Sequence, residues 1–196
     1  PIIVTLHLIG GMLILGSLAY LLGFFYYSSS GNVFKPPSLV KVFFGLSIFL
    51  VLLQIALGGW VSTNYASLAC ADFPTCQGKF LPEMDFYNGF NLAQEVGPNY
   101  LYGLLDNEAR VAIHYSHRIS AIVLTIIFLI LISRLWFSSA APLASTLGVI
   151  LITQISLGIM NVVYVLPLYI AIAHNLVAAL LLLATLMVNL VIWKNE

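Results

Sequence analysis

Ile119-Ser120-Ala121-Ile122-Val123-Leu124-Thr125-Ile126-Ile127-Phe128-Leu129-Ile130-Leu131-Ile132 carries no charge, and Arg134 is the first to follow it. A run this long and apolar on every side reads as a helix crossing a bilayer, since about 20 residues at about 1.5 Å each span the hydrocarbon. Four more stretches obey the same rule, so the expected spans are residues 2–25, 40–63, 119–136, 141–164 and 168–193. Membrane barrels are built from short alternating segments, and nothing here alternates for long. The whole chain is 61% hydrophobic and 7% charged, with a mean hydropathy of +1.04. Soluble domains carry about 25% charged residues, which excludes a water-soluble globular enzyme. Seven Lys and Arg balance seven Asp and Glu, so there is no basic footprint for nucleic acid. The expected class is an all-α integral membrane protein: a four-helix transmembrane bundle plus one extra N-terminal span.

Orientation follows from the cationic residues at the span ends. Lys35, Lys41, Arg134 and Lys194 share one side if the chain alternates across the membrane, and that side is cytoplasmic. The other side carries the long loop 64–113, where Asp72, Glu83, Asp85, Glu95, Asp106 and Glu108 outnumber Lys79 and Arg110. Cys70 and Cys76 then lie outside, where an oxidising compartment permits a bridge. Residue 1 is Pro, and no basic segment precedes the first span. The pattern is not that of a signal peptide, and the expectation is that the chain begins partway through a longer protein.

An internal repeat accounts for the odd number of spans. Gln54-Ile55-Ala56-Leu57-Gly58 in the second span recurs as Gln154-Ile155-Ser156-Leu157-Gly158 in the fourth. The third span is entered through His117, and the fifth carries His174 near its outer end. The unit is a Gln-Ile-x-Leu-Gly helix, an outside connection, and a helix with an outer histidine. Val4-Thr5-Leu6-His7 aligns with Ala171-Ile172-Ala173-His174 as a further copy of the second helix. On this reading residues 1–27 are the last helix of a preceding half, residues 28–39 a cytoplasmic linker, and residues 40–193 a complete four-helix half including the loop 64–113.

Ionisable groups in a membrane cost about 2.5–3.5 kcal/mol at a helix centre and are functional by default. Histidine is less costly because its neutral form is accessible at pH 7. A lone histidine of this kind packs and finds a hydrogen-bond partner. His117 and His174, in matching helices at matching ends, point instead to a pair of axial ligands for a haem held between helices. His174 lies six residues past Leu168, about 9 Å deep. Gly58, Gly59 and Gly158 leave room for a flat ring at a similar depth, and Arg118 suits haem propionates. No Cys, Asp or Glu joins the histidines within the membrane, so a transition-metal site is less apt. His114, nearer water, is read as structural or propionate-contacting.

Ser67-Leu68-Ala69-Cys70-Ala71-Asp72-Phe73-Pro74-Thr75-Cys76-Gln77-Gly78, followed by Ile113-His114-Tyr115-Ser116-His117-Arg118, resembles the haem A synthase family of cytochrome oxidase assembly proteins. Gly58-Gly59-Trp60-Val61-Ser62-Thr63 and Gly158-Ile159-Met160 fit as well. The resemblance covers nearly the whole chain. It implies eight spans in two similar halves, of which this chain holds the last helix of the first and all of the second. It implies haem b between His117 and His174, with haem O as substrate, its ring methyl oxidised to a formyl group. His7 matches one of the first-half histidine pair that handles the substrate haem iron, and its partner and the family's assisting carboxylate have no match here. Cys70 and Cys76 match a cysteine pair of the outer loop, read as pinning that loop. The segment 80–107 is longer than in compact members. Its Phe86, Tyr87, Phe90, Tyr100 and Tyr102 suit the membrane–water interface as a cap on the bundle.

The first functional expectation is therefore an oxidoreductase of haem A synthesis for cytochrome oxidase assembly, with this chain as its electron-transfer half, inactive alone. The alternative is a membrane cytochrome b that carries electrons, and a haem-free scaffold ranks last. Expected partners are the lipid bilayer, a haem O donor such as haem O synthase and an electron donor, with a homo-oligomer left open. The expected location is a bacterial inner (plasma) membrane with the long loop in the periplasm.

Overall fold

The computed structural model describes residues 1–26, 36–95 and 103–194. Lys35, most of the linker, Tyr100 and Tyr102 lie outside the described residues. Six helices follow in order: α1 (Ile2–Tyr26), α2 (Ser38–Thr63), α3 (Phe86–Gly89), α4 (Asn107–Trp136), α5 (Ala141–Val163) and α6 (Leu168–Lys194), with no sheet among the described residues. All but the one-turn α3 are long and apolar enough to cross a membrane, so the chain is a multi-pass membrane protein. Proline sits where it costs least, at the N-cap of α2 and in the first turn of α5, positions with no intrahelical N–H bond to lose.

The boundaries agree within a few residues except at α4, which starts at Asn107 and not near 119. Residues 107–118 include Glu108, Arg110, His114, His117 and Arg118, which lower hydropathy without opposing a helix. Glu108 in the first turn also complements the positive end of the helix dipole. The outer loop thus ends at Asp106, and α4 projects beyond its apolar stretch.

α2, α4, α5 and α6 form a closed ring in which each helix packs on two neighbours, while α1 lies outside against α2 and α6. Small residues admit α1. A Cβ on Gly16 would sit 2.9 Å from Leu186 Cδ1, and one on Gly23 would sit 2.8 Å from Leu190 Cδ2. Close backbone approach at small residues is the usual basis of helix packing in lipid.

The ring is filled unevenly along its length. Phe44, Val51, Phe128, Leu135, Leu147 and Leu182 close its inner part. Towards the outer end, no residue is buried in 115–123 of α4, 152–161 of α5 or 168–180 of α6. The repeat extends to the turns that end α2 and α5. Tyr65 and Val165 both take positive φ, 55° and 57°, which non-glycine residues adopt only when their surroundings require it. The following amides then close the same turn, Ala66 N–H to Val61 O at 2.9 Å and Leu166 N–H to Asn161 O at 2.7 Å.

Candidate functional site

His117 projects from α4 and His174 from α6, helices on opposite corners of the ring that do not pack on each other among the described residues. Each imidazole is partly exposed. Around each, the neighbouring helix supplies the same two partners. Gln54 of α2 places its amide Nε2 3.1 Å from His117 Nδ1 and 3.3 Å from Nε2, and donates to the His117 carbonyl at 3.1 Å. Gln154 of α5 places its Nε2 3.3 Å from His174 Nε2. One turn on, a Cβ at Gly58 would lie 3.2 Å from His117 Cε1, and one at Gly158 would lie 3.1 Å from His174 Cε1. The four-residue spacing puts glutamine and glycine on one helix face, so one grips the ring and the other leaves it space.

The glycines therefore serve the imidazoles before any macrocycle. Gly59 differs again, since its Cβ would lie 2.9 Å from Leu8 Cδ2 of α1. It admits the outer helix. Three polar atoms at the site are buried without a partner: Gln54 Oε1, Gln154 Oε1 and His174 Nδ1. Among the described residues no three His, Cys, Asp or Glu converge. Two imidazoles on helices at opposite corners of the ring, with unpartnered polar atoms beside them, are a donor set that would suit a haem held between helices.

The outer loop is fastened above this level. Cys70 and Cys76 form a disulfide and are both buried, against Val111 of α4. Arg118 donates to the carbonyls of Cys70 (2.7 Å), Asp72 (2.9 Å) and Thr75 (2.8 Å), and lies 5.8 Å from the Phe73 ring centroid. The residue expected to face propionates is thus engaged with the loop through three bonds, although a guanidinium has five N–H donors. Asp72 accepts from the Gln77 and Gly78 amides at 2.6 and 3.0 Å and from the Thr75 hydroxyl. These donors hold its pKa down at about 2. Asp85 is likewise lowered, by the Asn88 backbone amide it caps.

His114, read as structural or propionate-contacting, is buried, with Nδ1 2.9 Å from the Ala66 carbonyl. The aromatic segment rests on the bundle through α3. Trp60 Nε1 donates to the Gly89 carbonyl at 2.8 Å, and a Cβ on Gly89 would meet Ala109 O at 2.7 Å. Phe80 and Tyr87 remain 75% and 84% exposed. His7 is exposed on α1, a helix that packs on α2 and α6. The glutamines were visible in the sequence as repeat markers, but nothing there tied them to the imidazoles. A useful signal was the repeat itself, which sets Gln54 on the helix before His117's and Gln154 on the helix before His174's among the membrane spans.

A family model described as cytochrome oxidase assembly protein matches residues 1–186. Heme A synthase of Shewanella oneidensis is 40% identical over 205 residues, covering 100% of this chain and 60% of that protein. Heme A synthase of Methylobacterium radiotolerans is 30% identical over 190 residues, covering 94% of this chain and 48% of that protein. That of Neorickettsia sennetsu is 31% identical over 141 residues, covering 69% and 38%. The chain spans about half the length of the curated relatives it matches.

Proposed function

This chain belongs to the cytochrome oxidase assembly protein family, and on that premise we propose that residues 40–193 are a haem b-binding, electron-transferring half of a haem A synthase. The observation that carries the reading is the doubled arrangement of glutamine, glycine and histidine on two helix pairs, at the level where residues 115–123, 152–161 and 168–180 include no buried residue. His117 and His174 would hold the iron from opposite corners. Bound there, haem would supply a one-electron couple. Gly58 and Gly158 set where each ring stands, and the neighbouring glutamines hold it by hydrogen bonds. Arg118 and the disulfide loop cover the outer edge and limit access of water to it.

The relatives are heme A synthases by name, so the reaction assigned to the whole protein is oxidation of the haem O ring methyl to a formyl group. His7, exposed on the side of α1 away from the ring, is assigned to the substrate haem iron. A haem O donor and an electron donor are the partners this chemistry requires. Lys41, Arg134 and Lys194 share one end of the bundle and the acidic loop the other, which supports a bacterial inner membrane with the loop periplasmic.

The test is a reduced-minus-oxidised visible spectrum of the chain in mild detergent beside His117→Ala and His174→Ala. A low-spin b-type spectrum lost in both variants is expected. A folded, haem-supplied wild type without that spectrum would overturn the proposal.

A further inference from the structure

We propose that the disulfide loop is a lipid-docking surface: Phe73, Phe80 and Leu81 enter the headgroups and upper acyl chains of the leaflet beside α4 instead of standing in water. The proposal does not depend on haem binding. It begins from the face of α4 that holds the loop. Val111 packs on the Cys70–Cys76 disulfide, Tyr115 donates its hydroxyl to the Phe80 carbonyl at 2.7 Å, and Arg118 donates to three loop carbonyls. Spaced by four and three residues, these side chains form one row along the helix. The row continues at the same spacings through Ile122, Ile126 and Leu129, which are 55%, 53% and 57% exposed. Exposed apolar side chains at this depth of a membrane span meet acyl chains. The loop therefore stands directly over the lipid-facing flank of α4.

Height supports the same assignment. The charge-free stretch between Arg118 and Arg134 holds 15 residues, about 22 Å of helix, whereas the hydrocarbon core is about 30 Å thick. Arg134 lies in the last turn of α4, where a long cation reaches the headgroups. At the other end the Arg118 guanidinium is turned onto the loop carbonyls. The apolar layer thus extends past Ile119 towards Tyr115, one turn or about 6 Å further out. Phe80 is fastened to that residue.

The chemistry of the loop suits lipid as well. Its charges are engaged within it: Asp72 accepts from the Thr75 hydroxyl and the Gln77 and Gly78 amides, and Lys79 pairs with Glu83 at 3.2 Å. Cys76 and Lys79 exchange backbone bonds of 2.9 and 3.1 Å around Gln77 and Gly78, both at positive φ. That closed turn delivers Phe80 and Leu81 to the surface 75% and 73% exposed, and Phe73 joins them beside Arg118. A segment already ordered by a disulfide and a closed turn loses little freedom on docking. An apolar patch invites association, and continuity with the exposed isoleucines of α4 selects lipid over a protein partner.

The experiment places a nitroxide at Phe80→Cys and at Leu81→Cys in vesicles of phosphatidylethanolamine and phosphatidylglycerol. The two native cysteines are joined to each other, so each variant offers one thiol. Collision rates with oxygen, which partitions into lipid, and with a water-soluble nickel chelate are compared with Ile122→Cys on the lipid-facing row and Glu95→Cys on the acidic loop. The oxygen-to-nickel ratio at 80 and 81 should exceed that at 95 several-fold and approach that at 122. A ratio equal to that at 95 would overturn the proposal by placing the loop in water. Suppressed collisions with both reagents would overturn it equally, since a protein surface would then cover the patch. Should the labelled variants fail to insert, wild type is irradiated with a phospholipid carrying a diazirine near its acyl carbonyl. Adducts on Phe80 or Leu81 are expected, and adducts on Ile122 with none on either would overturn the proposal.

Discussion

Alanine at Gly158 adds one methyl group 3.1 Å from His174 Cε1, inside the optimal carbon–carbon separation of about 3.5–4.0 Å. The imidazole must retreat by roughly half an ångström. Two consequences follow with opposite sign. The helix gains about 0.8–1.0 kcal/mol from losing a glycine, and His174, partly exposed, has space to yield, so the fold should hold or become slightly more stable. A binding constellation, by contrast, tolerates only about 0.5 Å of displacement, so haem affinity should fall about tenfold, or about 1.4 kcal/mol. Gly148→Ala on the same helix is the control, because its Cβ would meet nothing within 4 Å. It should show the same gain in thermal stability with haem affinity unchanged. Apo-protein melting and haem titration separate the two effects. Equal haem affinity in the Gly158 and Gly148 variants would refute the reasoning, because His174 would then be indifferent to the position that Gly158 gives it.

Gly89→Ala should dislodge α3, because its Cβ would meet the Ala109 backbone carbonyl at 2.7 Å and the buried Trp60 indole N–H would lose its acceptor. Overpacking costs about 1–3 kcal/mol and an orphaned donor about 1–3 kcal/mol, visible as a red-shifted Trp emission and a lowered melting point. Arg118→Lys should loosen the disulfide loop, since one ammonium cannot reproduce a planar fork bonded to three carbonyls. Losing even one such charge-assisted bond costs about 1.5–3 kcal/mol, and proteolysis within the 70–79 segment is the assay. Asp72 has a folded pKa of about 2, below its unfolded value. Its contribution is therefore fully present above an unfolded pKa of about 3.9 and is lost as pH falls through about 2. Loop protection should be flat from pH 7 to 5 and weaken only below about pH 4, and Asp72→Asn should abolish that dependence.

The spans were legible because lipid demands long apolar helices, and four of the five have both ends within a few residues of expectation. The fifth, α4, was cut short by its own polar residues: His114, His117 and Arg118 lower the hydropathy of a stretch whose backbone is regular helix. Hydropathy reports solvent and not hydrogen bonding, and this segment extends beyond the apolar stretch. The expectation that His117 and His174 act together came from the repeat, which puts a histidine towards the same end of α4 and α6. What the repeat could not give was rotation about each helix axis, which decides that Gly58 faces an imidazole while its neighbour Gly59 faces Leu8. Nor could charge alone show that Arg118 reaches back to carbonyls of residues 70–75, because that depends on how the loop folds over α4.

The uneven filling of the ring separates two demands that would otherwise conflict. Large side chains such as Phe44 and Phe128 pack at its inner part, where each buried aromatic contributes dispersion contacts that hold the helices in register. At the level of the histidines α4, α5 and α6 carry partly exposed or exposed residues instead, Gly158 among them, so less of the bundle's cohesion depends on them. Orientation there comes from hydrogen bonds and from the loop held by Arg118. Substitutions at the site should therefore change haem binding without unfolding the bundle, and substitutions such as Phe128→Ala, costing about 3–5 kcal/mol, should do the reverse. That opposition explains why the two copies keep the same glutamine, glycine and histidine contacts while their outer connections differ so widely in length. The contacts fix the ring positions, and the connections need only return the chain.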